Sequence, residues 1–399
     1  MTAMLSSAQA ARLLPKPLRP APDVAAPILL SPPHLTGLEI AALEASLASG
    51  WLAPAGPAPR AFEAAFAEVT GFAHVLAVAS GTAALTLAFR VLNIGPGDEV
   101  WAPSFTFIAS VAPAVQMGAT PRFLDVCPKS WTLDPALLAE ALKQAARQGR
   151  LPRAVVAVDI YGQCAALQAI AALCAHYGVP LISDSAEGLG ASQSGLPAGR
   201  GARLATFSFN GNKIITAGGG GALASDDPRL IAHARSLADQ AKTPAPHYEH
   251  ASTGYSFGMS SLLAAVGLAQ LARLGDRVAR RRAVFARYQE ALEDLPGIAF
   301  MPEAPWGRSS RWLTAMLMDR HRFGLDPEGL RRLLAVEGIE TRPAFKPLHM
   351  QPAFRDAPRV GGAVSEALFA WGICLPSGSS MTQAEQGRVI RAIRAAARG

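Results

Sequence analysis

The segment Phe207–Gly221 reads FSFNGNKIITAGGGG and places one lysine, Lys213, between a short apolar stretch and a run of four glycines. A lysine held in a glycine-lined loop and partly withdrawn from water can attack a carbonyl carbon and form a Schiff base. Glycine-rich loops with a lysine also bind nucleotide phosphates, but the P-loop pattern requires Ser or Thr after the lysine, and Ile214 stands there. The segment therefore predicts a nucleophilic lysine.

An apolar stretch upstream, Leu181–Asp184, ends in a carboxylate and continues as Ser-Ala-Glu to Glu187. An aspartate at the end of a strand points into the cleft at the sheet edge. Beside a pyridine nitrogen, such a carboxylate keeps the nitrogen protonated and makes the ring a better acceptor for carbanion electrons. Asp184 and Lys213 therefore suit the same kind of cofactor.

A third segment, Ala79–Leu85 (ASGTAAL), opens an amphipathic helix with a small hydroxyl residue. The free N–H groups and the dipole of a helix N-terminus suit a phosphate. On its own such a turn is more often a plain N-cap. Taken with Asp184 and Lys213, it indicates pyridoxal 5′-phosphate as cofactor.

In this order the three segments resemble the DegT/DnrJ/EryC1/StrS family of sugar aminotransferases, pyridoxal-phosphate enzymes of fold type I. The resemblance runs from about Ile28 to the end of the chain. Further matching segments are Trp51–Pro54, Gly95–Val100, Pro103–Phe107, Gly118–Pro121, Arg342–His349 and Leu375–Gly378. Within the family, the segments around Lys213 and Lys346 are most similar to the branch that aminates C4 of nucleotide-linked 4-keto sugars.

The resemblance implies an enzyme that transfers an amino group, in this family usually from glutamate, through the pyridoxamine form of the cofactor to a keto group of a nucleotide-diphosphate sugar. Lys213 would carry the cofactor and then move the proton, and Asp184 would hold the ring nitrogen. Phe107, which by itself reads as a core aromatic, would stack on the ring. The remaining expected contacts are to the ring hydroxyl or face (Glu187), the phosphate (Gly81, Thr82, Ala83, Ser208) and the substrate (Trp51, Lys346, His349).

One segment departs from the family pattern. Where relatives carry Gly-Tyr-Asn-Tyr-Arg-Met-Ser-Asn, Gly254–Ser261 reads GYSFGMSS, so that Ser256, Gly258 and Ser261 replace Asn, Arg and Asn. In relatives the first Asn reaches the cofactor phosphate of the neighbouring subunit, which implies a homodimer with shared active sites. A hydrogen bond lost to a charged group costs about 1.5 to 3 kcal/mol, so Ser256 predicts weaker retention of the cofactor.

Three other functions stay open at this point. A sugar dehydratase of the same fold has histidine in place of the lysine, and Lys213 argues against it. A cofactor-binding homologue without turnover is conceivable because of Ser256 and Gly258. An enzyme acting on amino acids alone needs an arginine for the substrate carboxylate, and Arg342 is a candidate.

The alternation of predicted strands and helices indicates an α/β chain with a mostly parallel sheet covered on both faces. At 399 residues, a large domain and a smaller α+β C-terminal domain are expected. We predict a mobile extension over residues 1–26, a large cofactor-binding domain over residues 27–270 and a small domain over residues 271–399.

Composition narrows the class of protein further. Lys and Arg number 37 against 30 Asp and Glu, a balance that suits an anionic substrate, while the scattered arginines argue against nucleic acid. No run approaches the roughly 18 apolar residues of a membrane helix, so no membrane is expected as a partner. The four cysteines show no metal-binding spacing and indicate free thiols in a reducing cytoplasm, with no metal site (Cys127, Cys164, Cys174, Cys374).

Overall fold

A computed structural model describes residues 26–397. The predicted extension over residues 1–26 thus lies outside the described residues, apart from Ala26. Within residues 26–397, no helix combines the length and the apolar character needed to cross a membrane.

Strands and helices alternate along the first half of the chain, as the sequence predicts. The strands are β1 His74–Val78, β2 Glu99–Pro103, β3 Thr120–Leu124, β4 Ala154–Val158, β5 Leu181–Asp184, β6 Ser192–Gln193, β7 Leu196–Pro197, β8 Leu204–Ser208, β9 Gly221–Ser225, β10 Ile298–Phe300, β11 Gly307–Arg308, β12 Thr314–Met318, β13 Arg342–Pro343, β14 Arg359–Val360 and β15 Gly372–Leu375. The α-helices are α1 Leu38–Ala48, α2 Pro57–Thr70, α3 Gly81–Val91, α4 Ala112–Gln116, α5 Pro135–Arg147, α6 Leu167–His176, α7 Pro228–Ala238, α8 Ser261–Leu271, α9 Leu274–Leu292, α10 Arg320–Phe323, α11 Pro327–Val336, α12 Ala363–Trp371 and α13 Gln383–Ala396. Short 3-10 turns occupy Ile108–Ser110, Leu348–Met350 and Pro352–Phe354.

The largest sheet has eight strands in the order β1-β9-β8-β5-β4-β2-β3-β14. The neighbours from β8 to β14 pair in parallel, whereas β9 runs antiparallel to both β1 and β8. Every residue of β4 is buried, which is typical of a strand covered on both faces. The prediction of an α/β fold with a mostly parallel sheet is confirmed.

A second sheet, in the order β10-β12-β15-β13, is antiparallel throughout. Its core includes Met316, Ile373 and Leu375 from the strands together with residues of α9, α11 and α13. A separate three-stranded ribbon joins β11 to the hairpin β6-β7. The α+β character expected for the C-terminal part is thus observed.

The division of the chain near residue 270 stays a prediction, because two segments cross it. Strand β14 of the C-terminal part pairs in parallel with β3 of the large sheet. In the other direction, Ile28 forms a bridge with Ile339 and packs in the core of the small sheet.

The segment over residues 108–117 is not one helix but the 3-10 turn Ile108–Ser110 followed by the short helix α4. Pro113 lies in the first turn of α4. Proline lacks a backbone N–H, so it is accommodated in the first turn of a helix but disrupts a helix that runs through it. The break matters because Ser110 lies beside Asp184, as described below.

Candidate active site

The three segments singled out in the sequence meet at one edge of the large sheet. Strands β5 and β8 are parallel neighbours, so Asp184 at the end of β5 and the Lys213 loop after β8 emerge on the same side. Strand β1 leads to the turn at Ser80, which bridges to Gly220. Together they line a cavity of about 710 Å³, whose wall also includes Phe107, Glu187, Trp312 and Arg342.

Lys213 contacts an acid and an aromatic ring. Its Nζ lies 3.5 Å from Oε1 of Glu187 and 4.2 Å from the centroid of the Trp312 ring. Glu187 also accepts a hydrogen bond from the backbone N–H of Tyr161 at 2.8 Å. Burial raises the pKa of the Glu187 carboxyl, and the Lys213 ammonium partly offsets that rise.

Asp184 is buried at the end of β5 and held by two donors. Ser110 Oγ donates to its Oδ2 at 2.6 Å, and the backbone N–H of Ala186 donates to its Oδ1 at 3.2 Å. The Ser110 hydroxyl is in turn bonded to Thr106 Oγ1 at 2.9 Å. Burial raises the pKa of Asp184, and the Ser110 hydrogen bond opposes the rise.

A third buried carboxyl, Asp159, lies behind this pair and outside the cavity wall. It accepts hydrogen bonds from Ser185 Oγ at 2.7 Å and from the backbone N–H of Ala165 at 2.9 Å. Burial raises the pKa of Asp159 to about 7, and the neighbouring Asp184 and Glu187 add to the shift. Its contacts fix the chain just after Asp184.

The turn before α3 is capped by Ser80, whose Oγ accepts from the N–H of Ala83 at 3.0 Å. The N–H groups of Gly81 and Thr82 have no acceptor within a helix that starts at Gly81. Ser208 lies close to this turn, since a Cβ added to Gly81 would be 3.3 Å from Ser208 Oγ. The turn therefore presents to the cavity a helix start, whose first N–H groups are not used within the helix, and a hydroxyl, as a phosphate requires.

Phe107 lies in the loop after β2 and lines the cavity with 57% of its surface exposed. It is not a core residue, which was the alternative left by the sequence. Its nearest aromatic neighbour, Phe345, is tilted by 48° at a centroid distance of 6.3 Å. The ring face thus remains free to stack on a planar ligand.

These residues fit pyridoxal phosphate on structural grounds, because a helix start, an exposed aromatic face, a buried carboxylate and an amine share one cavity. When bound, the cofactor supplies an aldehyde for the lysine and a ring that accepts an electron pair from the substrate carbon. In such a site, Gly81, Thr82 and Ser208 would hold the phosphate and Asp184 would supply a carboxylate to the ring. Lys213 Nζ would take up and return a proton.

Several predicted residues lie elsewhere. Ala83 is buried, and its N–H is already used by Ser80, so Ser80 rather than Ala83 belongs to the cavity wall. Trp51, Lys346 and Ser256 are not part of that wall. Ser256 is exposed on a segment that runs beside the phosphate turn, where Ala79 N–H donates to Phe257 O.

His349, predicted to contact substrate, is buried and bonded at both ring nitrogens. Nδ1 lies 2.6 Å from Ser104 Oγ and Nε2 lies 2.9 Å from Glu366 Oε1. These bonds join the loop after β2 to α12. In this arrangement His349 has no free ring nitrogen to offer to a substrate, and its predicted substrate contact stays a prediction.

The departures at Gly258 and Ser261 have a structural explanation. A Cβ on Gly258 would lie 2.6 Å from Cβ of Pro54, and one on Gly56 would lie 2.3 Å from Ser261 Oγ. Ser261 also donates through Oγ to Ala53 O at 2.8 Å. The small residues therefore let the loop over residues 51–56 pack directly on the segment over residues 258–261, where longer side chains would not fit.

Sequence reasoning missed Ser110, Tyr161 and Trp312. All three act through distant partners: Ser110 through Asp184, Tyr161 through Glu187, and Trp312 through Lys213. No local pattern marks such residues. Ser80, which also lines the cavity, differs from these three because the N-cap pattern of the turn before α3 marks it in the sequence.

The fold and the cavity together define a pyridoxal-phosphate-dependent aminotransferase. A family model described as the DegT/DnrJ/EryC1/StrS aminotransferase family matches residues 33–394. The chain belongs to this family, as its resemblance predicted.

Individual relatives extend over nearly the whole chain. The protein named "Putative pyridoxal phosphate-dependent aminotransferase EpsN" of Bacillus subtilis (strain 168) is 48% identical over 370 residues, covering 92% of this chain and 95% of its own. GDP-perosamine synthase of Caulobacter vibrioides (strain ATCC 19089 / CIP 103742 / CB 15) is 34% identical over 367 residues, covering 92% and 97%. Among solved structures, DesI in the presence of its TDP-sugar product superposes with a TM-score of 0.85 at 30% identity, covering 94% and 93%.

Proposed function

We propose that this aminotransferase transfers an amino group from glutamate to a keto group of a nucleotide-diphosphate sugar. The observation that carries the proposal is the similarity, over almost the full length of both chains, to GDP-perosamine synthase. Two alternatives, a sugar dehydratase and a cofactor-binding homologue without turnover, are less well supported. Lys213 is at the place where a dehydratase of this fold has histidine, and the intact set of Lys213, Asp184 and Phe107 in one cavity favours turnover.

Arg342 supports an anionic substrate. It lines the same cavity as Lys213, and its side chain is 67% exposed while paired with Glu340 Oε1 at 2.8 Å. An exposed ion pair is weak, so a diphosphate that enters the cavity can compete with Glu340 for the guanidinium. We therefore propose Arg342 as a contact for the substrate diphosphate, in place of His349.

The direct test supplies the purified holoenzyme with glutamate and a panel of nucleotide-linked keto sugars, the matching free keto sugars and simple 2-keto acids. We expect mass spectrometry to detect amino sugars from nucleotide-linked substrates, and none with Lys213→Ala. Amination of 2-keto acids alone would contradict the proposal and favour the amino-acid alternative. Absence of turnover with every acceptor would favour a non-catalytic homologue.

In the same assay, Arg342→Ala should raise KM for the nucleotide sugar by about tenfold or more, since a charge-assisted hydrogen bond contributes about 1.5 to 3 kcal/mol. The kcat should change little. Arg332→Ala is the matched control, because Arg332 is likewise an exposed arginine paired with a glutamate, Glu328, but lies outside the cavity wall. Equal KM values for both variants would exclude Arg342 as a substrate contact.

A homodimer with shared sites and a cytoplasmic location complete the proposal. The exposed Ser256 segment beside the phosphate turn, together with exposed apolar side chains at Leu38, Ile40 and Trp51, supports a second copy of the chain at this surface. The four cysteines are free thiols, in keeping with a reducing compartment.

A further inference from the structure

Trp312 stands immediately before the small sheet, yet it contacts the lysine loop of the large one. Its side chain is buried, with 3% exposure. The indole N–H donates to the backbone carbonyl of Asn212 at 2.8 Å, and Asn212 is the residue that precedes Lys213. One side chain therefore fixes the backbone on which the reactive lysine stands.

The same indole also contacts the amine. Lys213 Nζ lies 4.2 Å from the ring centroid, well inside the range of about 6 Å at which a cation is attracted to the face of tryptophan. The same Nζ also lies 3.5 Å from Oε1 of Glu187. The Lys213 side chain is 14% exposed, so water competes little with these two contacts.

Trp312 is itself held from behind. Its backbone carbonyl accepts a hydrogen bond from the buried Arg281, which also donates to Ser377 O and Ser31 Oγ. The Ser31 hydroxyl donates to the Asn212 carbonyl at 2.7 Å. Trp312 and Ser31 thus both donate to the Asn212 carbonyl, and Arg281 binds both of these residues. The indole ring therefore has little freedom to move away from Lys213.

We propose that Trp312 is a positioning residue for Lys213: the ring face holds the amine whenever it is not bonded to the cofactor, and the indole N–H fixes the loop that carries it. Lys213 Nζ takes up one proton as an amine and returns the same proton as an ammonium. An aromatic face attracts a cation, so the Trp312 ring keeps the ammonium at one place between the two transfers. This role concerns the lysine and does not depend on which keto substrate is aminated.

The test separates the ring face from the N–H donor. Trp312→Phe keeps an aromatic face and removes the donor, whereas Trp312→Leu removes both. We expect kcat to fall by about tenfold in Trp312→Leu, as the loss of a desolvated cation–aromatic contact implies, and by about threefold or less in Trp312→Phe. KM for the keto substrate should stay within about twofold in both, since Trp312 acts through the lysine.

A second readout needs no turnover. Cofactor-free protein is mixed with pyridoxal phosphate, and the rate at which Lys213 captures it is followed by absorbance. Trp312→Leu should capture the cofactor about tenfold more slowly than the wild type, and Trp312→Phe at nearly the wild-type rate. Trp306→Phe is the matched control, because it removes an indole N–H that donates to a carbonyl, that of Cys164, away from the lysine.

Two outcomes would overturn the proposal: wild-type capture and kcat in Trp312→Leu, or equal losses in the Leu and Phe variants, which would show that the ring face does not hold the amine. Trp312→Met fills similar space with an unbranched side chain and no ring, and it carries the same expectation as Trp312→Leu. If circular dichroism shows that the leucine variant does not fold, the methionine variant still tests the proposal.

Discussion

At the scale of single residues, Asp184 faces two opposing effects. Burial disfavours its charged form and raises its pKa, while the 2.6 Å hydrogen bond from Ser110 favours the charged form. Only an ionised carboxylate can keep a pyridine nitrogen protonated. We therefore expect the Ser110 hydrogen bond to support the proposed role of Asp184.

Ser110→Ala should shift the acid limb of the pH–rate profile to higher pH. Without the hydroxyl the pKa of Asp184 rises further, so a higher pH is needed to reach the same ionised fraction. A hydrogen bond to a charged group corresponds to a shift on the order of one pH unit. The profile of kcat/KM against pH measures this shift. Ser110→Thr, which keeps a hydroxyl, should keep the acid limb of the wild type.

Ser130→Ala provides the control for that experiment, because Ser130 is a buried serine bonded to a threonine hydroxyl, Thr132 Oγ1 at 2.9 Å, with no carboxylate as its partner. An acid limb that moves equally in both variants would assign the effect to packing.

At the scale of elements, the glycine run that follows Lys213 is explained by the strand that it begins. Gly221 is the first residue of β9 and pairs with Val78 on one side and Ser208 on the other. A Cβ there would lie 2.5 Å from Ser80 O and 2.6 Å from Gly81 N. Only a residue without a side chain allows β9 to pass the phosphate turn so closely.

Gly221→Ala should therefore displace the turn and weaken retention of the cofactor. Overpacking of this kind costs about 1 to 3 kcal/mol, so the dissociation constant for pyridoxal phosphate should rise by about tenfold or more in equilibrium dialysis. Gly95→Ala should have no effect, since nothing lies within 4 Å of a Cβ at Gly95. Unchanged retention in Gly221→Ala would show that the turn does not hold the phosphate.

At the scale of the whole molecule, the cavity is built from both sheets and from the segment that precedes α1. Leu30 N–H donates to Glu340 at 3.0 Å, and Ser377 N–H donates to Leu30 O at 2.7 Å, so this segment is tied to the small sheet while it lines the cavity. The surface around Ser256 is left exposed next to the phosphate turn, and the proposed dimer would cover it.

Shared sites predict complementation between two inactive chains. Lys213→Ala lacks the amine, and Ser256→Trp blocks the surface offered to the neighbour, so each homodimer should be inactive. Random exchange of subunits makes half of the dimers mixed, each with one intact site, and about a quarter of the wild-type activity should return. Failure to recover activity, or a monomer in sedimentation at the assay concentration, would contradict shared sites.

Local patterns in the sequence were enough for the class of fold, and they also predict the centre of the site. Alternating strands and helices imply a parallel sheet, and the strand ends of a parallel sheet meet at one edge. The sequence therefore predicts that Asp184, Lys213 and the Gly81 turn lie close together. Their assignment to the cofactor is a prediction that the shared cavity supports. The family resemblance added Phe107, which faces the cavity with its ring exposed.

The partners of those residues were decided by tertiary structure alone. Trp312 reaches the lysine loop from 100 residues away along the chain, and Ser31 from 181 residues away. His349, a plausible ligand in the sequence, is bonded at both nitrogens because Ser104 and Glu366 pack against it. Pro54 packs so close to Gly258 that a side chain at position 258 would overlap with it. The physical reason is the same in each case: hydrogen bonding and close packing depend on which side chains the fold brings within a few ångströms, and neither periodicity nor residue type records that distance.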